Sequence, residues 1–208
     1  GKILTWNKKP INTVYHATNG GVMASVDEAW SINQVPYLQM RLDGPKDWTR
    51  SVDLPLSNEK YLKSFLFSKS EAFGSDHPLF RWERTIRSSQ ISKQLKKAQK
   101  VGSSFYPYKI EVLRRGSSGR VTSLKIEGRT GSEILLKLDD IRRVLRELPS
   151  TLFVVKEIKE GKWLFSGGGF GHGAGMSQSG AIELAKKGWT TKQILSHYYP
   201  KTKYGFLP

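Results

Sequence analysis

Residues 79–87 read Leu-Phe-Arg-Trp-Glu-Arg-Thr-Ile-Arg. Phe80, Trp82, Arg84 and Ile86 project to one side of an extended chain, and Arg81, Glu83, Thr85 and Arg87 to the other. A period of two with one mostly apolar side is the pattern of a half-buried strand. Ser88 or Ser89 can then cap a helix with Ile91, Leu95 and Ala98 on one face and Lys93, Lys96, Lys97 and Lys100 on the other. Further on, residues 106–114, 120–127 and 132–137 are β-rich. They are separated by Gly116-Ser117-Ser118-Gly119 and Gly128-Arg129-Thr130-Gly131, which predicts an antiparallel meander. Asp139-Asp140 before Ile141, Val144, Leu145 and Leu148 predicts a short helix, and 151–157 and 162–166 two more strands. Upstream, residues 2–6, 12–18 and 35–42 read as strands, the first two around the turn-like Asn7-Lys8-Lys9-Pro10. Tyr61, Leu62, Phe65 and Leu66 fall on one helical face within 58–68. The expected fold is α+β with mainly antiparallel strands, in one domain over 1–208, with 88–150 as a helix-plus-meander lobe within it.

The C-terminal quarter changes character. Gly167-Gly168-Gly169-Phe170-Gly171-His172-Gly173-Ala174-Gly175 is a glycine-rich loop. It leads into a predicted helix pair: one from about Ser177 to Lys187, stopped by Gly188, and one capped by Thr190 or Thr191 and ended by Pro200. Such a loop can hold an anion through backbone N–H groups at the helix start. The Gly-x-Gly-x-x-Gly and Gly-Lys-Ser/Thr patterns of nucleotide sites are absent from it. His172 lies between two glycines, so its ring is expected to be open to a ligand, with Ser177 and Gln178 supplying hydrogen bonds nearby. The alternative use of His172 is a hydrogen bond to backbone inside its own tight loop.

The formal net charge is +16, from 34 Lys and Arg against 18 Asp and Glu. This favours an anionic partner, either nucleic acid or an anionic membrane or wall surface, and charge alone does not choose. No helix-turn-helix, zinc-finger or RNA-binding sheet signature is present, so no specific nucleic acid is expected. The chain has no cysteine, which excludes disulfides and sulfur-based zinc sites. His16, His77, His172 and His197 lack short ligand spacing, so neither a metal nor another cofactor is expected. No apolar run approaches the roughly 18 residues of a membrane span. The opening Gly1-Lys2-Ile3-Leu4-Thr5-Trp6 reads as a strand already under way, which suggests that an amino-terminal segment precedes it.

Residues 169–200 read Gly-Phe-Gly-His-Gly-Ala-Gly-Met-Ser-Gln-Ser-Gly-Ala-Ile-Glu-Leu-Ala-Lys-Lys-Gly-Trp-Thr-Thr-Lys-Gln-Ile-Leu-Ser-His-Tyr-Tyr-Pro. This run resembles the signature of the stage II sporulation protein D family, which includes the amidase enhancers. Val14-Tyr15-His16-Ala17-Thr18-Asn19-Gly20-Gly21, with Trp30 and Pro36-Tyr37-Leu38, and His77-Pro78-Leu79-Phe80-Arg81-Trp82 resemble two further family segments. The resemblance implies an extracytoplasmic protein of the cell wall or periplasm. It also implies lytic transglycosylase cleavage of peptidoglycan glycan strands already stripped of stem peptides. The alternative it carries is a non-catalytic wall-binding or amidase-enhancing protein. Expected partners are glycan strands, an N-acetylmuramoyl-L-alanine amidase and the chain's own amino-terminal segment. The family's catalytic Glu lies in a Glu-Met-Pro-Ala segment that this sequence does not contain.

Within the chain, His16, His172, Ser177, Gln178, Tyr198 and Tyr199 are the expected supporting residues of an active site, orienting sugar groups or stabilising charge. Of the adjacent tyrosines, one ring is expected in the core and the other exposed. Gly171, Gly173 and Gly175, with Trp30 and Trp48, are the expected glycan contacts, whereas Trp82 and Trp163 suit the core. Glu83 is the weak alternative acid. Its position between Arg81 and Arg87 better suits a surface ion pair, because neighbouring cations lower a carboxyl pKa and a general acid needs it raised. The His16 turn and the His172 loop are expected to converge in space, with the N–H groups of the following helix directed into the same cleft.

Overall fold

The computed structural model describes residues 1–102 and 104–206. The chain opens on a hairpin of β1 (Ile3–Trp6) and β2 (Lys9–Pro10). Asn7 and Lys8 between them both take positive φ, the backbone of a two-residue hairpin turn. There follow β3 (Tyr15–His16), β4 (Val22–Met23), α1 (Val26–Ala29), β5 (Arg41–Leu42), α2 (Lys46–Ser51) and α3 (Glu59–Phe67). The alternating stretch forms β6 (Arg81–Arg87) and runs straight into α4 (Ser88–Lys97). The meander is β7 (Pro107–Arg115), β8 (Val121–Gly128) and β9 (Glu133–Lys137), followed by α5 (Asp140–Val144). The hairpin β10 (Phe153–Lys159) and β11 (Lys162–Gly168) leads to β12 (Met176–Ser177), α6 (Gln178–Lys186), α7 (Thr191–Tyr198) and β13 (Lys203–Gly205).

The fold is α+β, and its strand pairs are antiparallel except for β3 with β12. The largest core lies between two three-stranded sheets, β10-β11-β6 and β7-β8-β9. Trp82, Ile86, Trp163 and Phe165 come from the first and Val121, Leu124, Ile126 and Leu136 from the second, with Ile91 and Leu95 of α4 and Ile141 of α5 filling the ends. A second core joins Leu4, Met23 and Leu38 to Leu184, Tyr198 and Tyr199, so it ties the first forty residues to the last helices. The third holds α3 against Val22 and Leu152. No helix among the described residues is long and apolar enough to cross a membrane.

Two expected strands are shorter than their patterns. The 12–18 stretch pairs at Tyr15–His16 and through an isolated antiparallel bridge from Thr18 to Phe170, and 35–42 only at Arg41–Leu42. Residues 36–38 turn instead, and Leu38 buries in the second core. Neither Ser88 nor Ser89 caps α4. Arg87 holds the cap position, with its backbone N–H donating to Gln90 Oε1 at 2.9 Å. The Ser88 hydroxyl accepts from Trp163 Nε1 at 3.1 Å.

Candidate functional site

The parallel pairing of β3 with β12 sets Tyr15 opposite Met176 and His16 opposite Ser177. It draws the glycine loop over the His16 turn, and the two imidazoles meet edge to face with centroids 5.3 Å apart at 73°. The Trp30 ring stands 4.6 Å from His172 on centroids. A cavity of about 280 Å³ adjoins Trp30, lined also by Tyr37, Asn12, Asn33, Val14 and Leu38.

Hydrogen bonds define both tautomers. Ala174 N–H donates to His172 Nδ1 at 3.2 Å, so His172 Nε2–H donates to Tyr15 O at 2.9 Å. His16 Nδ1–H donates to Ala174 O at 3.1 Å, and its buried Nε2 is left as an acceptor without a partner. Burial holds His16 well below 6.5, aided by His172 and the Arg120 cation. His172 is pulled down to about 4, chiefly by burial, against its bond to Tyr15 O. Both rings are therefore neutral at pH 7.

Beneath the loop lies Arg120, fully buried, whose Nη2 donates to Asn19 O at 3.0 Å and whose Nε donates to His172 O at 3.3 Å. Burial lowers its pKa to about 10, which leaves it cationic. Gly173 has φ +83°, and a Cβ there would collide with the Arg120 guanidinium. At Gly171 a Cβ would come within 2.7 Å of His16 Cβ, and at Gly175 it would strike the Val14 carbonyl. These glycines make room for protein and do not leave the His172 ring open as expected, since both of its nitrogens are hydrogen-bonded to backbone. Asp139 also acts on this cluster, but its carboxylate is forked by Arg142 at 2.5 and 2.9 Å and bound by Arg143 at 3.0 Å.

The other expected residues divide. Ser177 is buried as the N-cap of α6, accepting from Gly180 N at 3.3 Å, while Gln178 is exposed on the first turn. The N–H groups expected to face the cleft are partly taken, since Ser179 N–H donates to Ala17 O at 3.0 Å. Tyr198 and Tyr199 correct the expectation of one buried and one exposed ring: both are 1% exposed. Tyr199 OH donates to Val14 O at 2.7 Å, directly behind β3, and its pKa is pushed up to about 12 by burial. Tyr198 OH donates to Asp43 Oδ2 at 3.1 Å. Trp48 is half-buried against Phe65 in the third core, a different cluster from the histidines. Glu83 stands exposed on β6 and accepts from Ser166 Oγ at 2.8 Å. It forms no ion pair among the described residues, and the Arg81 guanidinium instead donates to the carbonyls of Leu66, Phe65 and Gly20. Arg120 at the edge of an expected strand, and Asp139 and Arg142 at an expected helix, read as parts of elements and not as site residues, and Asp43 lies in a segment with no periodic signal.

An amidase enhancer of Bacillus subtilis (strain 168) is 30% identical over 222 residues, covering 97% of this chain and 31% of that protein. Stage II sporulation protein D of Bacillus amyloliquefaciens is 29% identical over 208 residues, 96% of this chain and 46% of its own length. The Bacillus subtilis (strain 168) form is 30% identical over 204 residues, 98% and 48% respectively. The chain belongs to the stage II sporulation protein D and amidase enhancer family. Residues 24–175 also match the family described as "Domain of unknown function (DUF8618)". The chain spans about a third to about half the length of these family relatives.

The expectation of a lytic transglycosylase is corrected. Cleaving a glycosidic bond needs an acid that delivers a proton near neutral pH. Among the described residues of this chain both imidazoles are neutral, both buried phenols have raised pKa values, Asp139 is held by two guanidinium groups, and Glu83 lies on another sheet. One relative is named for enhancing an amidase. Among the described residues no three His, Cys, Asp or Glu side chains are placed to hold a metal ion.

Proposed function

We propose that this chain is a non-catalytic, cell-wall-binding part of an extracytoplasmic protein that raises the activity of an N-acetylmuramoyl-L-alanine amidase. The observation that carries this reading is similarity to an amidase enhancer over 97% of the chain. The site supports it: Trp30 and Tyr37 offer flat faces for a sugar ring, and Asn12 and Asn33 offer carboxamides for its acetamido group. His172 packs beside Trp30 at the edge of this contact, and the Tyr199 hydroxyl holds the chain entering β3 behind it.

The test adds the full-length protein to an amidase acting on insoluble peptidoglycan and measures peptide release, alongside co-sedimentation with the same walls. Expected are faster release and wall binding, with Trp30→Ala reducing both by about tenfold, the scale of one lost aromatic contact. Unchanged release together with no sedimentation would sink the reading.

A further inference from the structure

The sheet β10-β11-β6 has two faces of unlike fate. Its inner face carries Trp82, Ile86, Trp163 and Phe165 into the main core. Its outer face is covered by α3 at one end, where Leu66 lies against Gly168 and Arg81 reaches back to the helix carbonyls. The other end is open. There the register sets Arg87 opposite Lys162, and Lys162 opposite Lys159, so three cations stand in one row across three strands. Lys156, paired with Leu164, projects from the next position on the same side. All four are exposed, and no carboxylate lies within 4.0 Å of any of them among the described residues.

Like charges directly opposite in a sheet repel and destabilise it. The protein avoids this elsewhere. On the meander, Lys109 faces Glu127 and Glu111 faces Lys125, with Lys125 bridging to Glu127 at 2.7 Å and Glu111 at 3.4 Å. The carboxylates near the open row are committed to other groups: Glu160 to Arg129, Glu157 to Gly161 N–H and Glu83 to Ser166. A repelling row kept free of counter-charge suits a repeating external anion.

We infer that the Arg87–Lys162–Lys159 row, with Lys156, binds a linear phosphodiester polymer of the cell wall. Neighbouring strands place successive cations about 5 Å apart, so the row meets a chain of charges lying across the strands. A guanidinium at one end adds a fork that fits phosphate oxygens. The surface lies on a different sheet from the histidine pair, and it extends the wall-binding reading on which it rests by naming a second wall component.

The test is co-sedimentation of the full-length protein with walls bearing poly(glycerol phosphate), intact or stripped of that polymer by hydrofluoric acid. The stripped walls keep their glycan and peptide carboxylates. Four phosphate contacts at about 0.7 released counterions each predict a loss of roughly fifty-fold in affinity between about 50 and about 200 mM salt on intact walls. Stripping the walls, or the paired change Lys159→Glu with Lys162→Glu, is expected to lower low-salt binding by about tenfold or more. The control, Lys93→Glu with Lys97→Glu on the exposed side of α4, alters net charge equally and is expected to retain most binding. Thermal unfolding checks that both variants fold. Equal binding to intact and stripped walls, or equal losses in the two variants, would overturn the inference. So would displacement by single-stranded DNA at lower concentrations than by free poly(glycerol phosphate). Loss of all binding, to stripped walls as well, would instead strike the wall-binding reading itself.

Discussion

His16 and His172 are held in their neutral forms by the same burial that brings them together, and this couples the site to pH. Their folded pKa values lie below 6.5, with His172 at about 4. Above pH 6.5 neither the folded nor the unfolded chain protonates them, and their packing contributes fully. As pH falls through 6.5, the unfolded chain takes up protons that the folded chain refuses, so stability declines until pH about 4, where His172 protonates in place. After discounting for its partial exposure, the His172 share is roughly 2 kcal/mol. Glu127, held down to about 2, contributes its own loss only in more acid solution. Urea unfolding at steps from pH 7 to 4.5 is expected to show this decline, and His172→Gln should flatten it; an equally steep slope in the variant would refute the assignment. Both histidines were legible in sequence because glycine turns flank them. The tyrosine orientations were not. Tyr199 has left the helix, at φ −127° and ψ 68°, so its ring turns inward beside Tyr198 instead of opposing it.

Elements declared themselves where a local period was long enough. The alternation of 79–87, the three meander strands and the apolar face of α3 each repeat several times and appear at close to their expected bounds. β3, β4, β5 and β12 are two residues long and are stabilised by partners distant in sequence, so local pattern overextended β3 and β5 and did not mark β4 or β12. Capping signals were readable at α6 and α7, where Ser177 and Thr190 cap as expected, but not at α4, which starts at Arg87. Thr190 accepts from Gln193 N–H at 3.3 Å, and Gln193 Oε1 accepts from Thr190 N–H at 2.8 Å. Thr190→Ala is expected to cost about 1 kcal/mol in urea unfolding, and a Thr190→Ser variant to recover most of it. An unchanged midpoint in the alanine variant would mean that packing alone sets the start of α7.

Across the whole molecule, the main unforeseen tie is Asp43. Fully buried, it accepts from Asn19 Nδ2 at 2.6 Å and Tyr198 OH at 3.1 Å, and it meets His197 Nε2 at 2.7 Å. Arg41 donates to the His197 carbonyl from the same segment. One carboxylate thus fastens α7 to the turn that follows His16. Asp43→Ala would strand several buried polar groups and is expected to cost about 3–5 kcal/mol, seen as a lowered thermal midpoint, with Asp43→Asn costing less. A loss below 1 kcal/mol would show α7 to be held by its apolar contacts alone. The β3–β12 pairing has a further consequence, for the order of events in time. Its two halves, at 15–16 and 176–177, are joined by about three-quarters of the chain, so their contact waits on a long loop closure. During synthesis, the strand bearing His16 leaves the ribosome long before its partner exists and must wait unpaired. The histidine pair therefore forms late in a newborn molecule, after the segments between its two halves have been made.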